Sequence, residues 1–556
     1  MSNHYSSAPS AYAYPLIIKQ LLNRAKTVST EQEIIYADKM RMSYADFFKR
    51  IAKLANVLDG LNLAHGDVVA VMDWDSHRYL ESYFAVPMSQ YVIQTVNIRL
   101  SPEKILYTIN HAKPKVLMVN SEFAPLVKDY QFENSSIEHI IWLDDNGVSY
   151  EGVFGGNESR VIGEYEALLE QASDEFEFQD FDENTIASTF YTSGTTGDPK
   201  GVFFSHRQLV LHTLTEAASL GVLPSKQGVS FGDVYMPMTP MFHVHAWGFP
   251  FTATMIGLKQ VYPGRYAPDT LMDLILNEKV SITHCVPTIL QMVLGEAHKR
   301  GVDFAGLKMI IGGSRLTEGL AKAALASNIE VYTGYGMSET APLISLSKFS
   351  TAEPEMSEEE DISRRCMTGN PVMMVDAQIW NDSDKALPHD GKQTGELVLR
   401  APWLTQSYFK NDDAGRELWE GGYMHTADIA YMTPAGTIKI TDRLKDVIKS
   451  GGEWISSLEI ETILSLHPSV ADVAVIGVRD EKWGERPIAA IILKPNHKDT
   501  TADDIKAVAE QAVEKGMIPK YGVPSEFKFV DELPKTSVGK HDKKAMRELF
   551  ADQTGI

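Results

Sequence analysis

Between Tyr191 and Gly201 the chain reads Tyr-Thr-Ser-Gly-Thr-Thr-Gly-Asp-Pro-Lys-Gly. Three glycines let this backbone turn through conformations closed to other residues. Ser193, Thr195 and Thr196 add hydroxyls, and Lys200 adds a cation. Polyphosphate is the natural ligand for such a mixture. The spacing differs from a nucleotide-hydrolase loop, because Gly194 is followed at the required distance by Pro199-Lys200 and not by Gly-Lys-Ser/Thr. It also contains no Gly-x-Gly-x-x-Gly dinucleotide fingerprint. The apolar runs Ala187–Tyr191 and Val202–Phe204 read as buried strands on either side, which places the loop at a sheet and not in a solvated turn.

Upstream, Phe47, Ile51, Leu54, Ala55 and Leu58 recur at helical spacing between Tyr44 and a stop at Gly60. Val68–Met72 and Val116–Val119 are short apolar runs that read as strands, with a helix begun near Ser101-Pro102 between them. Strands separated by helical patterns imply a parallel sheet covered on both faces. Asp144 to Glu183 has little periodicity and predicts surface loops with one helix near Tyr165–Ala172.

Downstream, Thr239-Pro-Met-Phe-His-Val-His-Ala-Trp-Gly248 concentrates histidines and aromatics in apolar surroundings, which favours a pocket wall over a metal site. Met309-Ile-Ile-Gly-Gly-Ser314 reads as a strand entering a glycine turn, a backbone edge suited to a flat base. In Val331-Tyr-Thr-Gly-Tyr-Gly-Met-Ser-Glu-Thr340, Tyr335 offers a ring for stacking, Ser338 a hydroxyl and Glu339 an oxygen ligand for magnesium. The acidic run Glu353–Asp361 reads as a solvated loop. Asp428, placed after a strand by Tyr423-Met-His-Thr-Ala-Asp428, can accept hydrogen bonds from ribose hydroxyls. The alternating charges Asp442, Arg443, Lys445, Asp446 and Lys449 suit a hydrated connection between domains. Beyond them, helices at Ser457–Leu466 and Ala502–Lys515 and strands at Val473–Ile476 and Ile488–Ile492 predict a small α+β unit.

A chain of 556 residues exceeds what one core supports, and 44% hydrophobic content is ample for two globular domains. Cys285 and Cys366, the two cysteines, exclude a disulfide framework and fit a reducing compartment. A net charge of -22 argues against nucleic acid as a partner. The N-terminus has no basic region followed by an apolar run, and Met241–Leu258 carries too many polar, Gly and Pro residues to be a transmembrane segment. A cytoplasmic enzyme is the expectation.

These blocks, in this order from about Tyr44 to Lys544, resemble the adenylate-forming superfamily, and within it the medium- and long-chain fatty acid–CoA ligase branch. The resemblance implies an α/β fold: a large N-terminal domain of parallel αβ-layered sheets plus a distorted barrel (1–441), a hinge (442–446) and a smaller mobile α+β C-terminal domain (447–556). It implies ATP, magnesium and coenzyme A as cofactors and co-substrate, and a small carboxylic acid as partner. Thr192, Ser193, Gly194, Thr195, Thr196, Gly197 and Lys200 would hold phosphates. Gly313, Ser314, Thr333, Gly334, Tyr335, Gly336, Met337, Ser338 and Asp428 would hold the nucleoside, and Thr192 and Glu339 would meet the metal. Ser338 stands where the family more commonly has threonine.

By the same resemblance, Arg443, Lys449 and Trp454 approach the nucleotide, Lys445 is the pivot, and Gly451-Gly452 lie near the pantetheine of coenzyme A. Lys540, in Leu533-Pro-Lys-Thr-Ser-Val-Gly-Lys540, is the catalytic lysine. His243, Val244 and Trp247 would line the acyl channel, with Trp247 as its gate. A homodimer is favoured at the level of the branch. The alternatives are a CoA ligase for a short or sulfur-containing acid such as methylthiopropionate, a luciferase-like oxygenase or amino acid adenylating enzyme, and a catalytically inactive ATP-binding sensor.

Overall fold

The structure is a computed structural model that describes residues 7–128, 130–192, 198–224, 226–347, 356–381, 383–450, 453–480, 482–536 and 541–551. Among the described residues the strands form four sheets.

The first sheet runs, edge to edge, Val161–Glu164, His139–Leu143, Val116–Asn120, Val68–Met72, Val92–Thr95, Ile186–Thr192 and Lys200–Ser205. It is parallel except for its last pair, in which Ile186–Thr192 and Lys200–Ser205 are antiparallel partners, Thr192 opposite Lys200. The 193–197 segment that joins them lies outside the described residues. The helix Tyr44–Asp59 forms as its periodicity predicts and packs against the helix His77–Met88, which lies on this sheet. Ser43 and Asp46 form a reciprocal capping box at its start, and Phe47, Ile51, Leu54 and Leu58 are buried along one face. Each such side chain contributes about 1.5–3 kcal/mol by leaving water.

The second sheet is ordered Asn370–Pro371, Leu343–Leu346, Ile329–Gly336, Leu307–Ile311, Ile282–Cys285, Val234–Met238, Lys259–Tyr262, Glu33–Tyr36 and Met40–Ser43. Its central strands are parallel and its two margins antiparallel, so both large sheets are mixed and not purely parallel. Its chain order reverses at Val234–Met238, whose successors lie on opposite sides of it. The carboxyl ends of strands at such a reversal open a crevice where ligands bind. The barrel expected as a third layer is an antiparallel four-stranded sheet, Asp376–Trp380, Gly395–Arg400, Met424–Met432 and Ile438–Arg443, tied to the second sheet by the bridge Gly369–Ile438.

Sheet membership changes between Arg443 and Ile448. From there Ile448–Ser450, Glu453–Ile455, Val470–Asp480, Gly484–Leu493 and Glu526–Phe529 make a fourth sheet. Ile448, Ile460, Val475, Ile491 and Ile505 pack on one of its faces, and Ile476, Ile488, Met546 and Phe550 on the other. This unit thus has its own core, one of the physical marks of a domain.

The acidic run is not only a loop: Glu358–Arg365 is a helix. Ser357 and Glu360 cap it reciprocally, and Asp361 pairs with Arg364 and Arg365 at 3.2 and 2.6 Å, so the charges supply the helix signals. Residues 353–355 lie outside the described residues. Among the described residues, no helix is long and apolar enough to cross a membrane.

Candidate functional site

The crevice at the strand ends is a cavity of about 1070 Å³ that reaches from the phosphate-loop hairpin, past the second sheet, to the small unit. Thr192, Lys200, Gly313, Ser314, Thr333, Gly334, Tyr335, Gly336, Met337, Ser338, Glu339, Asp428, Arg443 and Lys445 all line it, as do His243, Val244 and Trp247. Residues more than 250 positions apart in sequence, from Thr192 to Lys445, therefore share one space. Lys449 is exposed on Ile448–Ser450 and is not among the residues lining this cavity. Ser193, Gly194, Thr195, Thr196, Gly197, Gly451, Gly452 and Lys540 lie outside the described residues, as does the side chain of Trp454.

At the end expected to hold the nucleoside, Tyr335 donates its hydroxyl to Asp428 Oδ2 at 2.7 Å, and Arg443 Nε lies 3.3 Å from Asp428 Oδ1. Asp428 stands within the strand Met424–Met432 and not after it. Ala427, at φ +56°, adds a left-handed kink that lets Thr426 Oγ1 receive the Asp428 N–H. Gly336 meets a steric need, since a Cβ there would sit 1.7 Å from Pro342 O.

Glu339 is buried, and burial raises its carboxyl above the usual range against the opposing pull of the Tyr408 hydroxyl, 2.8 Å away, and the charges of Arg443 and Lys200. Tyr408 also lies under Lys200, whose Nζ is 4.7 Å from the ring centroid. Sequence reasoning missed Tyr408. It sits in a loop pinned to the hairpin by the bridge Val202–Tyr408, and no local pattern announces such a pairing. Among the described residues no three His, Cys, Asp or Glu side chains cluster as a metal cage. Magnesium that keeps water and phosphate ligands needs one or two carboxylates, and the buried Glu339 fits that demand.

The wall expected to face the acyl group has unusual backbone. Val244, His245, Ala246 and Trp247 have φ of +49°, +54°, +47° and +60°, followed by Gly248 at +77°, making one left-handed turn. Each L-residue there costs roughly 1–2 kcal/mol. Packing holds the turn in place: Asp75 accepts the Met241 N–H at 2.8 Å, Thr95 donates to Phe242 O at 2.9 Å, and His245 is packed edge-on against Phe190. The turn aims Trp247 at His284, on which it stacks at 4.9 Å. A Cβ at Gly312 would lie 2.8 Å from the indole, so only glycine lets the ring sit there. Behind Trp247 is a separate cavity of about 60 Å³ walled by Met238, Tyr266, Val286 and Ile289.

At the junction, Asp442 is buried and accepts the N–H and hydroxyl of Ser457 at 2.5 and 2.7 Å. Lys543 donates to the Ser457 hydroxyl at 2.6 Å and pairs with Glu461 at 2.7 Å, Arg547 pairs with Asp446 at 2.7 Å, and Arg315 reaches Leu458 O at 3.1 Å. Burial is the main cause that lowers the Lys445 ammonium below its ordinary value.

The sequence family described as AMP-binding enzyme matches residues 22–409, and the AMP-binding enzyme C-terminal domain matches 459–540. A long-chain-fatty-acid–CoA ligase of Thermus thermophilus is 35% identical over 541 residues, 96% of this chain and 95% of that protein. A 3-methylmercaptopropionyl-CoA ligase of Ruegeria lacuscaerulensis is 35% identical over 548 residues, covering 97% and 98%. The crystal structure of the anthranilate CoA ligase AuaEII with anthranoyl-AMP superposes with a TM-score of 0.84 at 23% identity, covering 98% of this chain and 99% of that one, a likeness of fold.

Proposed function

The chain belongs to the AMP-binding enzyme family, and from that premise we propose that it is an AMP-forming fatty acid–CoA ligase with magnesium as its metal. Membership and full-length similarity to CoA ligases carry the acid–CoA ligase activity. The observation that favours a fatty acid is the aromatic and aliphatic wall of Val244, Trp247 and Phe249, with the mostly apolar cavity of about 60 Å³ beyond the indole, whose lining also includes Arg99 and Thr239. That cavity is small with Trp247 in its present place, which favours as second reading a short acid, sulfur-containing ones included.

In the first half-reaction a carboxylate oxygen attacks the α-phosphorus of ATP, and the bond to the β-phosphate breaks to release pyrophosphate. Lys200 and the neighbouring hydroxyls hold the leaving phosphates, Tyr335 faces the base, and Asp428 accepts from the ribose. Magnesium at Glu339 and Thr192 supplies charge neutralisation for the phosphates when bound. Lys540 contributes a cation for the charge that develops in the transition state. In the second half-reaction the thiolate of coenzyme A attacks the acyl carbon, and the bond to AMP breaks. The thiol needs a path on the face that Lys540 serves, so the domain 447–556 turns on the hinge 442–446 at Lys445 and brings Gly451-Gly452 forward.

The test is a screen of acids from acetate to palmitate with simple aryl acids, reading AMP and coenzyme A thioester. Thioesters of straight-chain acids support the fatty acid reading. Thioesters only of acids no longer than four carbons, or only of methylthiopropionate added to the panel, support the second, and the fatty acid reading requires thioesters of straight-chain acids of six carbons or more.

A further inference from the structure

Trp247, His284, Tyr235 and Phe249 form a continuous aromatic wall: the indole stacks on His284 at 4.9 Å, the Tyr235 hydroxyl meets His284 Nε2 at 2.8 Å, and Tyr235 stacks on Phe249 at 4.6 Å. One turn on from Phe249, the Thr252 hydroxyl donates to Glu216 Oε2 at 2.5 Å. Glu216 lies on the helix His206–Gly221, is 4% exposed, and lines the same cavity as Trp247 and His284. Among the described residues Thr252 is the one hydrogen-bond partner of this carboxyl.

Resting on the ligase reading above, we infer that Glu216 selects the acid: its carboxyl faces the acyl space to hydrogen-bond an oxygen substituent, so the preferred substrates are hydroxy- or oxo-substituted acyl chains and not plain hydrocarbon ones.

A buried carboxyl beside a wholly aliphatic tail keeps unmet hydrogen-bonding capacity, a cost an oxygenated tail removes. A site built to bond a polar group discriminates strongly against the analogue that lacks it. Among the described residues no cation is paired with this carboxyl: His284 is held neutral by burial, down to about 3, and its second nitrogen is occupied by Thr239. Burial pushes Glu216 itself up to about 8, so near neutrality the group is mostly the acid form, able both to donate and to accept. That suits a hydroxyl or ketone better than an ammonium, which would require the ionised form. Sequence reading passed over this residue, because a Glu in Leu-Thr-Glu-Ala-Ala reads as a solvated helix position until the fold buries it.

The experiment compares octanoate with its hydroxy and oxo derivatives at each position from C3 to C8, on the full chain, as kcat/KM for thioester formation. Wild type, Glu216→Gln and Glu216→Leu are assayed together, with thermal melts for folding. The expected result is that at least one oxygenated acid exceeds octanoate by about tenfold or more in wild type, that Glu216→Gln keeps part of the preference, and that Glu216→Leu erases or inverts it. If wild type prefers octanoate over every derivative, or folded Glu216→Leu keeps the wild-type ratio, the inference is overturned; a purely structural Glu216–Thr252 tether would move the melt and leave the ratio alone. Should Glu216→Leu not fold, the wild-type ratio and the Glu216→Gln ratio decide. AMP formed from these acids without oxygen preference sinks this inference alone, whereas no AMP from any acid sinks the ligase reading and takes this inference with it.

Discussion

Replacing Trp247 with alanine tests whether the indole is a gate or only a wall. The ring separates the main cavity from the pocket of about 60 Å³ behind it. At roughly 30 Å³ for a water-sized group that pocket holds about two methylenes, and removing the indole adds room for at least the two more that dodecanoate needs. Each buried methylene is worth about 0.8 kcal/mol, so four are worth about 3 kcal/mol, or roughly a hundredfold in kcat/KM. Trp247→Ala should therefore raise the ratio of dodecanoate to octanoate by up to that factor, with octanoate itself losing ground as its tail loses the indole contact. The assay is initial-rate thioester formation across even chain lengths from C4 to C16, for wild type and variant. Trp247→Gly is a useful companion, because glycine adopts the φ of +60° at no steric cost and should melt no lower than the alanine variant. A folded Trp247→Ala enzyme with an unchanged chain-length profile would refute the gate.

Three further outcomes follow from the same geometry. Asp428→Asn weakens the pairing with Arg443 and alters that with Tyr335, and should raise KM for ATP by roughly ten- to a hundredfold, the equivalent of about 1.5–3 kcal/mol for bonds to a charged group; an unchanged ATP titration would contradict the ribose assignment. Lys445→Pro should leave acid-dependent pyrophosphate release largely intact and stop thioester formation, read by assaying the two separately; equal loss of both removes the hinge. His245 is buried, neither ring nitrogen has a hydrogen-bond partner among the described residues, and burial lowers it to about 3. A histidine depressed from an unfolded value near 6.5 gives stability that is complete above that pH and is lost as pH falls toward 3. The melting temperature of His245→Leu should accordingly gain on wild type as pH drops from 7 to 4.5, and a constant difference would show that this histidine is not part of the acid lability.

What the sequence revealed, and what it hid, divides along the range of the interactions. The helix from Tyr44, the strand Val68–Met72 and the hairpin around the phosphate loop are set by local apolar periodicity and caps, which a sequence displays. The lining residues drawn from Met309–Ser314 and Val331–Thr340 were legible because glycines and hydroxyls cluster there for steric reasons such as the Gly336–Pro342 contact. Tyr408 under Lys200, Asp442 buried against Ser457 and Glu216 against Thr252 were not legible. Each depends on a partner 15 to 208 positions away brought near by the fold, and each looks in isolation like an ordinary loop, hinge or surface residue. The left-handed turn at Val244–Trp247 was hidden for the opposite reason, since no propensity favours it and only its packing holds it.

The most direct measurement is the fate of ATP. Purified protein incubated with magnesium, coenzyme A, α-labelled ATP and the acid panel should convert ATP to AMP, in step with acyl-CoA, only when an acid is present. Formation of ADP in place of AMP, or no acid-dependent splitting of ATP across the whole panel, would contradict the account.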